Sequence, residues 1–285
     1  MNCSDAHNHL QDAWLAPHRA GIFADLAAAG IDRCVVNGTC ESDWPEVVAL
    51  AAQVAALPGA LTLIPSYGLH PWDAGNRSPD WQEKLRARLD ADPGAAVGEI
   101  GLDRWILDRA RPDDARLAGL RRAPLEEQVE VFTWQLRLAA ERDLPASIHC
   151  LDAFGLMLDT LRATPRPARG FLLHAYSGSA ELAREFAALG AYFSFNGAFL
   201  EPRKQRLREM YATIPADRLL VETDAPAMRV PAPVERFTLP ATAEGELPNH
   251  PANLPAAYAG LAEIRGVALD ELTAQVEENF RRLFG

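Results

Sequence analysis

Cysteine is scarce in this chain. The four thiols, Cys3, Cys34, Cys40 and Cys150, fall in no CxxC spacing, which fits reduced thiols in a cytoplasm better than a disulfide framework. No apolar run reaches the roughly 18 residues that a transmembrane helix needs, so no membrane span is expected. The N-terminus lacks a basic region followed by an apolar stretch, and no secretory signal is read there. Positive charge is also in deficit. A net charge of -11 argues against broad electrostatic coating of nucleic acid, while leaving room for a nucleic-acid substrate held locally by metals and a few arginines.

What is present is enough apolar material for a full core: 48% of 285 residues, sufficient for one large α/β barrel or two ordinary domains. Strand-like runs recur at Cys3–His7, Cys34–Asn37, Leu61–Leu69, Ala96–Gly101, Ala146–His149, Phe171–His174, Tyr192–Phe195 and Arg218–Glu222. Helix-like patterns lie between and after them, at Phe23–Ala29, Trp44–Leu57, Trp81–Leu89, Leu125–Glu141 and Ala153–Ala163. Four more follow at Ala180–Leu189, Pro202–Ile214, Asn253–Arg265 and Leu269–Phe284. Apolar strands separated by helices imply parallel βαβ units buried on both faces. Eight of them point to a TIM (β/α)8 barrel spanning residues 1–285 as one domain, with a doubly wound open sheet as the competing fold. Two segments depart from the rhythm, the charge-crowded 103–123 and the proline-rich 225–252. Each follows the C-terminal end of an expected strand, the face where active-site loops gather.

The same ends carry an unusual set of side chains. In strand order they are His7 with His9, Asn37, His70, Glu99, His149, His174, Asn196, and Glu222 with Asp224. Five of the seven histidines fall in this set; His18 and His250 do not. Residues i and i+2 of a strand share a face about 6–7 Å apart, so His7 and His9 can converge on one ion. HxH alone is weak evidence, because two hydrogen-bonded or surface imidazoles give the same pattern. Asp5 shares their alternation and is expected to orient an imidazole or help close the site. Glu99 is an acid inside an apolar strand, so it must bind a metal or pair with a cation such as Arg104. His149 and His174 each end an apolar strand, and either alone reads equally as a core histidine. Asp224 alone reads as a cap or turn residue before Pro226. Their coincidence at one end of one barrel is what favours chemistry.

Six donors, His7, His9, Glu99, His149, His174 and Asp224, are too many for one tetrahedral zinc. They suit two divalent ions with Glu99 as the bridge, and the imidazole–carboxylate mixture admits Zn²⁺, Mn²⁺ or Mg²⁺. Such a pair generates hydroxide from water and polarises a phosphoryl or carbonyl oxygen. Asp224 can take the proton from that water, and Glu222 can position the water or a ligand. His70 is not needed as a ligand; it can bind a phosphate oxygen or protonate a leaving group, with a purely structural histidine as the equal alternative.

The stretches "DAHNHL", "GLHPWD", "VGEIGLD", "PASIHC", "LLHAYSGS", "FSFNG", "LLVETDAP" and the terminal "ENFRRLFG" run nearly from end to end. As an ordered set they resemble the TatD family of metal-dependent hydrolases. The resemblance implies an amidohydrolase-like TIM barrel. It also implies His7, His9 and Asp224 on one metal, His149 and His174 on a second, and Glu99 between them. Members of that family act as magnesium- or manganese-dependent deoxyribonucleases, including 3'-to-5' exonucleases on single-stranded DNA, and related ones remove D-amino acids from tRNA. Two departures stand out: a longer charged stretch after "GEIGLD", and Ala175–Tyr176 where a cysteine–phenylalanine pair is common.

The expected function is therefore a cytoplasmic, monomeric deoxyribonuclease acting on DNA ends or single strands. Arg104, Arg109, Arg111, Arg116, Arg121 and Arg122 would supply phosphate contacts and Trp105 a stacking platform, unless Asp108, Asp113 and Asp114 simply neutralise the loop. The alternatives are a D-aminoacyl-tRNA deacylase, a small-molecule ester or amide hydrolase on the same metals, or a non-catalytic metal-bearing scaffold.

Overall fold

A computed structural model describes residues 2–56, 59 and 61–285. It contains one sheet of eight parallel strands in the order β1-β2-β3-β4-β5-β6-β7-β8. The strands are β1 (Cys3–Asn8), β2 (Ile31–Asn37), β3 (Thr62–Tyr67), β4 (Ala96–Asp103), β5 (Ala146–Leu151), β6 (Phe171–Leu173), β7 (Ala191–Asn196) and β8 (Leu219–Glu222). The helices are α1 (Arg19–Ala28), α2 (Trp44–Ala55), α3 (Trp81–Ala91), α4 (Trp105–Asp108) and α5 (Leu125–Arg142). They continue with α6 (Phe154–Ala163), α7 (Ala180–Ala188), α8 (Gln205–Thr213), α9 (Leu254–Arg265) and α10 (Leu269–Phe284). Every expected strand and helix is present within a few residues. The expected end of the second helix, Leu57, lies outside the described residues. The short α4, inside the charged excursion, has too few residues to show a period.

The order excludes an open doubly wound sheet, which would place β1 inside the sheet rather than at its start. The circle closes where β8 meets β1. There the Asp224 N–H donates to the His7 carbonyl (2.9 Å) and the His9 N–H to the Ala225 carbonyl (2.8 Å). Asp5 reinforces this seam: its carboxylate accepts from the Thr223 N–H (3.0 Å), the Thr223 hydroxyl (2.6 Å) and Asn8 Nδ2 (3.1 Å). Asp5 therefore closes the barrel and touches no imidazole ring, which corrects the first of the two roles expected for it.

Why these segments become strands and helices follows from burial. β1, β4 and β7 are buried along their whole length, as strands covered on both faces must be. The helices bury one stripe each; in α10, Leu272, Val276, Phe280 and Leu283 recur every three or four residues and face the barrel. Two local features shape the mouth. The register between β4 and β5 is irregular between Val97 and Ile100, and this interruption turns Glu99 out of the ladder so that its N–H donates to the Gly38 carbonyl (2.8 Å). Two residues on, Gly101 pairs with His149 at φ +149°, and a Cβ there would collide with the His149 carbonyl.

Asn279 on α10 is buried and donates to the carbonyls of Ala216 and Leu219, both at 2.8 Å, tying the last helix to the start of β8. Asn279→Ala strips both carbonyls of their partner and should cost about 1–3 kcal/mol. Urea unfolding followed by circular dichroism checks this; a midpoint equal to that of the parent would show that the tie does not matter.

Candidate metal centre

Six side chains from the mouth converge on Glu99, which is only 3% exposed. Its two oxygens face different partners. Around Oε2 stand His7 Nε2 (3.4 Å) and His9 Nε2 (3.2 Å), and Asp224 Oδ1 lies 3.7 Å from His7 Nε2 and 3.4 Å from His9 Nε2. The two imidazole nitrogens are themselves 3.3 Å apart. A tetrahedral shell with bonds of about 2.0–2.1 Å has edges of about 3.3–3.4 Å, so these four atoms are spaced as donors to one cation. Around Oε1 stand His174 Nε2 (2.9 Å), His149 Nδ1 (3.0 Å) and His70 Nε2 (3.4 Å), with 3.3 Å between His149 Nδ1 and His174 Nε2. The residues fit two divalent ions sharing one carboxylate.

The outer ring nitrogens decide which imidazoles can be donors. His9 Nδ1 lies 2.8 Å from the Asn37 carbonyl, so it must carry the proton and leave Nε2 bare. His7 Nδ1 lies 2.8 Å from the Ser147 hydroxyl. His149 turns Nε2 to Asp103 Oδ2 (3.2 Å), which leaves Nδ1 for the centre. His174 turns Nδ1 towards Glu222 Oε1 (3.6 Å), leaving Nε2. His70 differs. Its Nδ1 accepts from the Trp72 N–H (3.2 Å), so in the neutral ring the proton sits on Nε2, the atom facing Glu99. An Nε2–H cannot ligate a metal, but it can donate a hydrogen bond. The structure thus separates His70 from the other four imidazoles.

The charges are set by the same contacts. Burial pushes the Glu99 and Asp224 carboxyls up, but the surrounding imidazoles outweigh it and hold both below the usual carboxylate range, Glu99 strongly so. Burial lowers His7 and His70. For His149 burial acts downward too, yet Asp103 and Glu99 overcome it and raise that ring to about 9. Two ionised carboxylates sunk among imidazoles form a pocket suited to a cation.

All the residues singled out in the sequence lie at this mouth, with differences in role. Glu222 is fully buried behind His174; it accepts from the Ser194 hydroxyl and from Asn196 Nδ2 (3.3 Å). Its nearest imidazole nitrogen is His174 Nδ1, at 3.6 Å. Arg104 is exposed and does not pair with Glu99. Asn37 serves through its backbone carbonyl, and Cys150 takes no part. Asp103 was missed, although it belongs to the quoted "VGEIGLD" and shares the alternation of Glu99 and Gly101. It also accepts from Trp72 Nε1 (2.6 Å). Trp72 and Ser147 carry no local signal for their roles.

The charged excursion is mostly self-neutralised. Arg109 pairs with Asp152 (3.3 Å), Arg111 with Asp113 (3.8 Å), Arg116 with Asp114 (2.7 Å) and Arg121 with Glu127 (2.6 Å). Arg122 donates to three backbone carbonyls. Trp105 lies beside Trp72 with ring centroids 6.1 Å apart, and the Arg116 guanidinium stands over it at 4.9 Å.

Asp73, in the loop after β3, is pushed up to about 7 by burial, then by the charges of Asp43 and Glu99. Between pH ~4, where the unfolded carboxyl ionises, and pH ~7 the folded chain holds a proton that the unfolded chain has released, so this group lowers stability as pH rises. Asp73→Asn removes that penalty. Its melting temperature relative to the parent should be higher at pH 8.5 than at pH 5.5, and an equal difference at both would refute the assignment.

Comparison with known proteins agrees with this geometry. The family model described as TatD related DNase matches residues 4–285. A Klebsiella pneumoniae protein named 3'-5' ssDNA/RNA exonuclease TatD is 31% identical over 265 residues, covering 93% of this chain and 90% of that protein. An Escherichia coli protein named uncharacterized metal-dependent hydrolase YjjV is 30% identical over 282 residues, covering 98% and 96%. The crystal structure of the E. coli YjjV TatD homolog superposes with a TM-score of 0.82 at 28% identity, covering 99% of this chain and 97% of that one. With a family model spanning almost its whole length, the chain belongs to the TatD related DNase family.

Proposed function

We propose that this chain is a divalent-metal-dependent phosphodiesterase that shortens single-stranded DNA or RNA from the 3' end. The observation that carries the reading is the division of Glu99 between two donor sets, Oε2 with His7, His9 and Asp224, Oε1 with His149 and His174. The relatives named as 3'-5' ssDNA/RNA exonucleases support the substrate and the polarity. Bound there, two divalent ions supply Lewis-acid polarisation of a phosphodiester and activation of water.

The chain's own residues do the rest. Asp224, an ionised carboxylate 8% exposed, takes the proton from the attacking water. His70 Nε2–H, on the opposite side of Glu99, donates to the departing oxygen. Asp103 and Glu222 hold the outer nitrogens of His149 and His174 and fix their rings. Trp105 and Trp72 offer an aromatic surface beside His70 and His149. The barrel closes on itself, so residues 1–285 work as one domain and as a monomer. Among the described residues no helix is long and apolar enough to cross a membrane.

Two sets of variants test this. Glu99→Ala should lose metal from both sites and lower single-strand shortening by at least ~10³-fold, measured by metal analysis and 5'-labelled oligonucleotide laddering. His70→Asn should retain its metal while kcat falls by roughly 10²–10⁴-fold, whereas His174→Ala should lose metal. Metal loss in His70→Asn would overturn its role as hydrogen-bond donor to the departing oxygen. Absence of shortening by the wild type with Mg²⁺, Mn²⁺ or Zn²⁺, together with release of D-amino acid from D-aminoacyl-tRNA, would move the reading to carbonyl ester hydrolysis on the same residues.

A further inference from the structure

The acidic balance of the chain and the pairing within 103–123 leave one question: what holds the backbone of a single strand. Five of the six arginines of that excursion, all but Arg104, are engaged by acids or carbonyls. A different group of cations is not. Arg203, Lys204 and Arg206 follow β7 on the mouth side, and among the described residues Arg203 and Arg206 have neither an ion pair nor a hydrogen-bond acceptor. Lys204 rests its ammonium over the Phe199 ring at 5.1 Å.

These cations line a surface groove. One part, about 620 Å³, is bounded by Arg203, Lys204, Gln205 and Arg206. It shares Arg206, Leu207 and Glu209 with a second part of about 590 Å³ that reaches Ser177, Gly178 and Ser179 at the start of α7. The acid there, Glu209, accepts from Gln205 Nε2 (2.8 Å). The loop walling the second part is braced by Tyr176. Tyr176 donates its hydroxyl to the Ser179 carbonyl (2.9 Å), and any side chain on Gly178 would collide with the Tyr176 phenol. The loop begins at His174. Ser177 is three residues on, a reach of at most ~11 Å along the chain, so one end of the groove lies within that reach of His174, while the other runs along α8 to Thr213.

Arg208 shows why the basic wall stands where it does. Its guanidinium is taken up by the carbonyls of Phe199, Glu201 and Pro202, which fixes the turn into α8 and leaves Arg203 and Arg206 projecting on the solvent side. Two unpaired guanidiniums and an ammonium along one groove match a run of phosphates and nothing base-specific.

We propose that the groove between the starts of α7 and α8, walled by Arg203, Lys204 and Arg206, carries the phosphate backbone of the single strand on the 5' side of the bond being cut. This rests on the nucleic-acid reading above. It makes substrate length matter, since only strands long enough to leave the metal centre past His174 reach these cations.

The test uses metal-loaded full-length protein and the double variant Arg203→Ala/Arg206→Ala. Binding of a fluorescent 12-nucleotide strand with phosphorothioate linkages at its 3' end is followed by anisotropy across a salt series. A trinucleotide serves as the short control, and bis(4-nitrophenyl) phosphate turnover reports on the metal centre. The variant should bind the long strand on the order of tenfold more weakly at low salt, and the slope of log affinity against log salt should shrink by about 1.4. Trinucleotide binding and bis(4-nitrophenyl) phosphate turnover should not change. Equal affinity and slope in parent and variant would overturn the proposal, as would loss of bis(4-nitrophenyl) phosphate turnover in the variant. A parent that binds the strand through these arginines yet never shortens an unmodified one would refute the nuclease reading and leave the groove standing.

Discussion

A carboxylate removed almost completely from water stays ionised only if each of its oxygens is met by partners that favour the charge. Glu99 is that carboxylate here, and the rest of the mouth is arranged around its two oxygens. Oε2 is faced by β1 and the end of β8, and Oε1 by β5, β6 and the end of β3. The interruption in β4 that turns Glu99 out of the ladder, and the glycine that lets β5 come close two residues later, serve this placement. Glu99 stands in contact with both groups of side chains, so the mouth holds one cluster and not two separate ones.

A second layer holds the donors to their task. Four imidazoles have an outer nitrogen facing a carbonyl, a hydroxyl or a carboxylate, and each turns its other nitrogen inward. His70 has its outer nitrogen facing a backbone N–H and keeps its inner proton. The same chemical group is thus held in two ways a few ångströms apart, and the difference lies in the polarity of a single hydrogen bond. The seam between β1 and β8 belongs to the same scheme. Asp5 and Thr223 fasten the strand carrying His7 and His9 to the segment carrying Asp224, so these three side chains are held together by the contacts that close the barrel.

Much of this was legible in the residues. Near-continuous apolar strands alternating with helical stripes can pack in few ways, and side chains at strand ends fall at the mouth whatever the detail of the loops. His7, His9, Glu99, His149, His174 and Asp224 were visible for that reason. Asp103 was visible too, two alternations beyond Glu99, and was passed over because an acid near a strand end reads as a loop residue. Asp5 falls on the expected face, but strand alternation leaves both of its expected roles open, because it does not say which neighbour lies across the seam. The arginine-rich excursion misled in a different way: charge counts do not reveal pairing, and its arginines find their acids only once the loop is folded.

The amino-acid order alone therefore determined the element sequence, the barrel and the list of side chains at its mouth, because periodicity and burial are local properties of the chain. Tertiary structure decided how Glu99 divides its oxygens, which nitrogen of each imidazole looks inward, and that Arg203 and Arg206 stand unpaired while the arginines of 103–123, Arg104 apart, do not. These depend on atoms brought together from distant parts of the chain, where differences of an ångström and the direction of one N–H separate a ligand from a proton donor.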